Sequence, residues 1–269
     1  MKLIYAVFFL FLALIISAQC QQTAEDWNNK GVALDAQSKL DEAIKCYDEA
    51  IRIDPNYVKG WGNKGLALAD QNKYDEAIKC FDETIRLDPN YAAAWTTKGN
   101  TLYRQGKYNE AIKAFEEAIR LDPNDAVAWY IKGNAFSDLR NYSEAIKCYD
   151  EAIRLDPTDT GAWNNKGIAL NAQGKYDEAI KACDEAIKLD SNHAATGAAW
   201  GNKCSALNAQ GKYDEAIKAC DEAIRIDPTN IGAWSNKGTA LKALGRTTEA
   251  SAAFAKARAL EYSGSNSVI

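Results

Sequence analysis

The sequence predicts an all-α fold, a solenoid of seven helix-turn-helix repeats, and three observations lead to that prediction. Tryptophan recurs every 34 residues, with one interval of 37, at Trp27, Trp61, Trp95, Trp129, Trp163, Trp200 and Trp234. Within each interval, apolar residues recur three and four positions apart, which is the spacing of one helix face. A single pair of helices cannot bury its own apolar faces, so neighbouring repeats must stack.

The first helix of each repeat is predicted from the stretch that begins at Trp27. Trp27, Lys30, Gly31 and Leu34 share one stripe, and Gly31 leaves room for a close helix contact. A lysine stands three residues after every Trp, at Lys30, Lys64, Lys98, Lys132, Lys166, Lys203 and Lys237. We expect each lysine stem to pack along its Trp. The alternative is a stripe of seven cations that binds a ligand.

The second helix is predicted from turn and cap residues. The preceding loop carries Asn72 or a glycine suited to a left-handed helix stop, namely Gly106, Gly174, Gly211 or Gly245. Asp41 is a cap-type residue and opens a helix in which Ala43, Ile44 and Tyr47 have helical spacing. In the fourth repeat, Ser143 takes the place of this Asp. The Asp54-Pro55 pair ends the helix.

This unit resembles the tetratricopeptide repeat, through Trp27, Gly31, Ala43, Tyr47 and Pro55 and their counterparts in the later copies. The resemblance implies a right-handed superhelix whose concave groove binds peptides. The family pattern has Leu where this chain has the recurrent Lys. The predicted boundaries are a signal peptide over 1–20, repeats over 24–57, 58–91, 92–125, 126–159, 160–196 (with an insertion), 197–230 and 231–262, and a disordered tail over 263–269.

The first twenty residues differ from the repeats. Lys2 precedes fourteen uncharged, almost wholly apolar residues, and Ser17, Ala18 and Cys20 follow. This pattern is typical of a secretory signal peptide cleaved before Gln21. A lipid-modified Cys20 and an uncleaved membrane anchor are the alternatives, although the run is shorter than a bilayer requires. The sequence therefore predicts an extracytoplasmic protein, secreted or associated with the cell surface, of an exported prokaryotic and archaeal-looking type.

Composition and motifs favour a binding protein over an enzyme. The formal net charge is −5, and no basic cluster suits nucleic acid. The only histidine, His193, lies in the insertion without a repeat-derived partner, and no phosphate-binding glycine motif occurs. The sequence predicts no catalytic residue, no metal site and no cofactor.

The chain carries seven cysteines, whose pairing the sequence predicts only in part. Outside the signal segment lie Cys46, Cys80, Cys148, Cys183, Cys204 and Cys220. We expect small buried thiols, since equivalent cysteines on stacked helices are too far apart to bridge. Cys183 and Cys220 replace a core aromatic residue and Cys204 replaces a glycine. A bridge from Cys204 to Cys183 or to Cys220 therefore stays open as the alternative.

Two places depart from the repeat pattern. After Asp190 the usual Pro is absent and three extra residues enter, which predicts a tolerated loop insertion, with a hinge or partner contact as the alternative. The seventh repeat lacks the Asp-Pro ending and any long capping helix, so its last apolar face is predicted to be open to self-association. Separately, Asn141 begins an N-glycosylation sequon, although a helix cap explains that segment as well.

The face of the first helices opposite the Trp stripe is the candidate binding face. Two residues after Trp stand Asn29, Asn63, Asn165, Asn202 and Asn236, and the third and fourth repeats carry Asn100 and Asn134 one helical turn later. An amide can donate to and accept from a peptide bond, so such a row suits an extended backbone. The position directly after Trp never carries the Lys that carboxylate-binding relatives use. Copying of one ancestral repeat explains the row equally.

These observations predict a non-enzymatic scaffold that binds an extended peptide segment in an Asn-lined groove. The alternative is a structural, self-assembling envelope protein that stacks through its uncapped C-terminal repeat. The predicted partners are a protein or peptide, with no nucleic acid. Membrane contact is expected only through an uncleaved or lipidated N-terminus.

Overall fold

The computed structural model describes residues 22–189 and 194–265, and within them all regular structure is helical. The chain divides into two compact units, residues 1–121 and residues 122–269. The helices of the first unit are α1 Ala24–Asp35, α2 Leu40–Ile53, α3 Val58–Asp70, α4 Tyr74–Leu87, α5 Ala92–Arg104 and α6 Tyr108–Leu121. Those of the second are α7 Ala126–Asp138, α8 Tyr142–Leu155, α9 Thr160–Ala172, α10 Tyr176–Leu189, α11 Ala194–Ala209, α12 Tyr213–Ile226, α13 Ile231–Ala243 and α14 Thr247–Ser265.

The fourteen helices of the described residues form seven hairpins, three in the first unit and four in the second. The prediction of an all-α helical-repeat solenoid with seven repeats is therefore confirmed. Within each unit, the first helix of a repeat packs against the second helix of the same repeat, and both of them contact the first helix of the next repeat. None of the helices in residues 22–189 and 194–265 combines the length and the apolar character that a membrane crossing requires.

Backbone conformation explains where the first helix of each repeat ends. Gly106, Gly174, Gly211 and Gly245 have φ between +74° and +81°, and Asn72 has φ of +60°. This left-handed conformation stops the helix, as the sequence predicts, because Gly has no Cβ and Asn tolerates the region. Ser38 and Arg140 adopt the same conformation, and neither residue type signals it.

The predicted cap of the second helix is wrong in position. Helix α2 begins at Leu40, and its N-cap residue Lys39 makes no side-chain cap. Asp41 lies inside the first turn, where its carboxylate accepts a hydrogen bond from Gln71 of the next repeat (2.9 Å). In the fourth repeat, Ser143 likewise accepts from Gln173 (2.8 Å), while Asn141 is the residue that caps α8. The cap-type residue thus links adjacent repeats.

The three inserted residues lengthen a helix. Helix α11 begins at Ala194, six residues before Trp200, while the other first helices begin three residues before their Trp. Residues 194–196 therefore lie within α11, the first helix of the sixth repeat. Helix α14 continues to Ser265, three residues into the predicted tail. The predictions for residues 1–20, Asp190 and His193 lie outside the described residues.

A glycine packed against an aromatic ring closes most repeats. A Cβ atom at Gly65, Gly99, Gly133 or Gly238 would lie 2.6 to 2.8 Å from the ring of Phe81, Phe115, Tyr149 or Phe254, respectively. The ring fills the space that the missing side chain leaves, and Phe115 is fully buried. The glycine four residues after Trp is thus required by packing.

The sixth repeat replaces this contact with a covalent bond. Cys204 stands in the glycine position and Cys220 in the aromatic position, and the two form a disulfide with Cα atoms 5.3 Å apart. The alternative that the sequence left open is thereby resolved in favour of Cys220. Cys46, Cys80, Cys148 and Cys183 are free and buried, as small core thiols.

The recurrent lysine links repeats. The Lys64 ammonium lies 5.8 Å from the centroid of the Trp61 ring and 2.6 Å from a carboxylate oxygen of Asp48, in the preceding repeat. The same pair of contacts recurs at Lys98, Lys166, Lys203 and Lys237, with Asp82, Asp150, Asp184 and Asp221. The lysine ammonium lies over its Trp ring, and the charge has a structural partner that the sequence analysis missed.

Candidate functional site

The candidate site is the Asn face, which we define as the face of the first helices that carries the residues one, two and five positions after each Trp. In the first unit, Asn63 donates from Nδ2 to the Oδ1 atom of Asn28 (2.9 Å). Asn28 stands directly after Trp27 and is buried, whereas Asn29 is exposed. Asn63 therefore joins neighbouring first helices and retains one N–H and its carbonyl oxygen for a ligand.

The same joint occurs twice in the second unit. Asn165 donates to the Tyr130 hydroxyl (3.1 Å), and Asn202 donates to Oδ1 of Asn164 (2.8 Å). In each case, the residue two after Trp bonds to the residue one after Trp in the preceding repeat. Each of these bonds joins the first helices of two neighbouring repeats, because its acceptor side chain, Tyr130 or Asn164, occupies the same position of the repeat.

Asn165 is fully engaged inside the protein. Its Nδ2 also donates to Oδ1 of Asn134 (2.9 Å), and its Oδ1 accepts from Asn164 (3.3 Å). The Tyr149 hydroxyl donates to the same Asn134 oxygen (2.9 Å). This network holds the first helices of the fourth and fifth repeats together, so these amides are committed to packing.

Two glycines interrupt the pattern, one in each unit. At Gly62, the position directly after Trp has no side chain that could accept a hydrogen bond from Thr97 of the next repeat. Gly201 likewise offers no acceptor side chain to Asn236. Thr97 bonds instead to the carbonyls of Ala93 and Ala94 in its own helix (2.9 and 3.1 Å). The Asn236 amide makes no side-chain hydrogen bond within residues 22–189 and 194–265 and is available to a ligand.

A groove of about 220 Å³ opens beside Gly62 in the first unit. Its wall combines apolar, amide and cationic side chains, namely those of Lys59, Asn63, Leu66, Phe81, Thr84, Tyr91, Ala93, Ala94 and Thr97. Leu66 and Tyr91 remain 42% and 41% exposed, although both are large and apolar. The groove thus presents apolar surface next to a free amide, a combination typical of ligand sites.

Charged groups at the end of the first helices are mutually paired. Arg104 lies 3.7 Å from the carboxylate of Asp70 and donates to Asn72 Oδ1 (3.3 Å), with its guanidinium 5.3 Å from the Tyr74 ring centroid. Burial, and secondarily the charge of Asp70, raises the pKa of Asp35. By contrast, Lys59 is exposed and has no ion pair among the described residues. It is therefore an unneutralised cation at the groove.

The structure distributes the predicted asparagines over two kinds of environment. Asn63, Asn134, Asn165 and Asn202 bond within the protein, while Asn29, Asn100 and Asn236 make no side-chain hydrogen bond within the described ranges. Asn141 is exposed, and its Oδ1 atom accepts from the backbone of Glu144 (3.4 Å).

Sequence reasoning missed the asparagines that stand eight residues after Trp. Asn171 donates to the Asn202 carbonyl (3.0 Å) and Asn208 to the Asn236 carbonyl (2.9 Å). Their own Oδ1 atoms are buried without a hydrogen-bond partner in the described structure. The signal was present, since this position carries Asn only in the fifth and sixth repeats.

The buried thiols are poor nucleophiles. Burial raises the pKa of the Cys80 thiol to about 11 and that of the Cys183 thiol to about 12. At neutral pH both therefore stay protonated, whereas a nucleophilic cysteine needs a lowered pKa. In the part of the chain that the structure describes, no group of three His, Cys, Asp or Glu residues is placed to hold a metal ion.

Tetratricopeptide repeat models match residues 24–57, 46–79, 63–126, 96–159, 130–194, 197–230 and 219–250. The chain belongs to the tetratricopeptide repeat family. Proteins of this family generally serve as non-catalytic scaffolds that bind protein or peptide partners.

Solved structures show the same fold. One is YrrB, described as a TPR protein with an unusual peptide-binding site, which has 25% sequence identity and a TM-score of 0.61, with 70% of this chain and 95% of that chain covered. Another is a tetratricopeptide repeat protein from Parabacteroides merdae, with 17% identity, a TM-score of 0.67 and coverages of 89% and 94%.

A third similar structure is MamA from Desulfovibrio magneticus, with 24% identity and a TM-score of 0.59 over 63% of this chain and 96% of that chain. The likeness to it and to the Parabacteroides protein concerns the fold. No protein of curated function matches the sequence.

Proposed function

We propose that this protein is a non-enzymatic scaffold that binds an extended polypeptide segment on its Asn face. The observation that carries the proposal is the groove beside Gly62, where apolar surface and an amide with free hydrogen-bonding capacity lie together. An amide binds any peptide backbone, since it donates and accepts at once. The similarity to YrrB, a TPR protein with a peptide-binding site, agrees with this function.

The test removes three amides of the Asn face that keep free capacity, one in the first unit and two in the second. Asn63, Asn202 and Asn236 are changed to Ala together, and the purified variant is compared with the wild type in capturing polypeptides from an extract of the source cells. The matched control changes Asn56, Asn90 and Asn124 to Ala, which are exposed asparagines in the turns between repeats. We expect the first triple variant to lose most of the captured set and the control to retain it. Equal capture by both would refute peptide binding on the Asn face.

Self-assembly through the last repeat is less well supported. In the first repeat, Ile44 packs against the core of the next repeat, Asp48 pairs with Lys64, and Ile51 contacts α3. The matching residues of α14 are Ser251, Ala255 and Arg258, all exposed. Terminal repeats of such arrays carry a polar outer face, and these residues of α14 fit that pattern.

We also propose that the protein works outside the cytoplasm. The apolar run after Lys2 supports export, and the Cys204–Cys220 disulfide agrees with a compartment in which such bonds persist. Fractionation of the native cells tests this, and the intact mass of the isolated protein shows whether residues 1–20 are cleaved, lipidated on Cys20 or retained as an anchor. Recovery of the protein in the cytoplasmic fraction would contradict export.

A further inference from the structure

The groove beside Gly62 has features that select a ligand, and these begin with the glycine itself. Gly62 lies in the middle of α3, where glycine is less favourable than alanine by roughly 0.5–1 kcal/mol. A Cβ atom there would meet only Thr84, at 3.9 Å, which is an ordinary contact. Packing explains Gly65 but not Gly62. A residue that weakens its helix without a packing reason is a candidate for a functional role.

The absent side chain keeps two neighbouring helices unlinked. Within each unit, the residue directly after Trp accepts a hydrogen bond from the next repeat wherever it has a side chain, as Asn28 does from Asn63 and Asn164 does from Asn202. At Gly62 no such bond exists, and the space that the side chain would occupy forms part of the groove. The glycine therefore creates the opening.

The rest of the opening has a definite chemical character. Gly62 and Asn63 lie three and four residues after Lys59, and Leu66 lies four and three residues after them, so the four side-chain positions share one stripe of α3. Exposed Leu66 and, across the groove, Tyr91 supply apolar surface, Asn63 supplies a backbone-binding amide, and Lys59 supplies a positive charge without an ion pair among the described residues. Along the helix, Lys59 and Leu66 are separated by about 10 Å, the rise of seven residues.

We propose that this groove binds an extended peptide through one aliphatic side chain, seated between Leu66 and Tyr91, and through a carboxylate of the same peptide, which pairs with Lys59. An extended chain advances about 3.3 Å per residue, so the acidic residue lies within about three positions of the aliphatic one. This inference rests on the proposed function and specifies its ligand.

The corresponding position at Gly201 lacks these features and serves as an internal control. The counterparts of Lys59, Leu66 and Tyr91 there are Ala198, Ser205 and Asn230, so neither a cation nor a large apolar side chain stands at these positions. A Cβ at Gly201 would lie 3.6 Å from the Asn230 amide nitrogen. The same substitution can therefore be made at both glycines with different expected effects.

The experiment measures fluorescence anisotropy with labelled peptides of Gly and Ser that carry a central Leu and Asp two residues to either side. Matched peptides carry Asn or Lys in place of Asp, or Ala in place of Leu. We expect the Asp–Leu peptide to bind at least tenfold more tightly than the Lys–Leu and Asp–Ala peptides. Gly62→Asn should weaken its binding at least tenfold, Gly201→Asn should leave it unchanged, and Lys59→Glu should reverse the preference between Asp and Lys.

The outcomes separate this inference from the proposed function. Absence of binding by the Asp–Leu peptide, or binding that Gly62→Asn leaves unchanged, overturns the groove assignment. The alanine triple variant at Asn63, Asn202 and Asn236 tests the proposed function separately. If the groove prediction fails and this variant still loses its captured polypeptides, peptide binding on the Asn face is retained and only the groove assignment is wrong. Circular dichroism of each variant verifies that it remains helical.

Discussion

At the scale of single residues, the glycines of α3 show that one residue type serves two different needs. Gly65 is required because the ring of Phe81 occupies the place of a side chain, with a ring carbon 2.7 Å from the position of its Cβ. A Cβ at Gly62, one turn earlier, would make only an ordinary contact with Thr84, at 3.9 Å. The repeat pattern separates them, since glycine recurs at the position of Gly65 in five other repeats and at that of Gly62 only at Gly201.

This difference predicts opposite effects of the same substitution. Gly65→Ala should destabilise the protein by about 1–2 kcal/mol, since an extra methyl group in a packed core forces displacement of a buried ring. Gly62→Ala should stabilise it by about 0.5–1 kcal/mol, because alanine favours the helix and meets no clash. Urea unfolding of both variants against the wild type checks the signs, and a stabilising Gly65→Ala would show that the packing argument is wrong.

The residue types alone also did not reveal which side chains pair with the recurrent lysines and with the asparagines. The sequence identified the recurrent lysine and the asparagine row, and it placed the lysine stem against Trp. It did not show that Lys64 pairs with Asp48 or that Asn63 bonds to Asn28, since these partners lie in different repeats. Such contacts depend on the offset between stacked helices, which no spacing within one repeat encodes.

At the scale of elements, the sixth repeat is held together in a different way from its neighbours. Where most other hairpins bury an aromatic ring against glycine, α11 and α12 are joined by Cys204 and Cys220. Both sulfur atoms belong to fully buried residues, at the centre of a cluster that includes Leu207, Ala216 and Leu241. The small cysteine side chains supply less apolar surface than a ring, and the covalent bond compensates for that difference.

Reduction should therefore loosen this hairpin selectively. A disulfide that closes a loop of this size, with its cysteines 16 positions apart in the sequence, contributes about 3 kcal/mol in the chain-entropy description. We expect dithiothreitol to accelerate amide hydrogen exchange in α11 and α12 and to leave α1–α6 unchanged. The double variant Cys204→Gly and Cys220→Phe rebuilds the contact of the other repeats and should be protected with or without reductant. Uniform exchange across all repeats on reduction would contradict a local role.

Helix boundaries follow local residue preferences at the left-handed helix ends but not at the predicted caps. The left-handed glycines and Asn72 end their helices as predicted, because that conformation is a property of the residue itself. Asp41 and Ser143 do not cap their helices, since each is instead engaged by a glutamine of the following repeat. A local preference yields when a neighbouring element offers a competing partner.

At the scale of the whole molecule, the terminal repeats carry polar residues where internal repeats make contacts. Ser251 and Arg258 replace isoleucines in α14, and Ala255 replaces the aspartate that pairs with the next lysine. At the other end, Asp26 takes the place of the buried Gly60 and Ala94, and it forms a capping box with Thr23. Both substitutions disfavour the addition of a further repeat from a second copy.

The protein should accordingly be a monomer. Light scattering coupled to size-exclusion chromatography should give the mass of a single chain across a wide range of concentrations. The variant Ser251→Ile, Ala255→Asp and Arg258→Ile, which restores the residues of an internal repeat, should self-associate because it exposes an apolar face. A wild-type mass that rises with concentration would revive the stacking hypothesis.

The sequence by itself determined the helical class, the number of repeats, the length of each hairpin and the family, because a fixed period of apolar residues encodes a unit that must stack on its neighbours. Only the tertiary structure decided which cysteine bridges Cys204, which asparagines remain free to bind, and where the Asn face opens beside Gly62. These outcomes depend on how side chains of different repeats meet across an interface. Such distances and orientations arise from packing, and a one-dimensional pattern does not contain them.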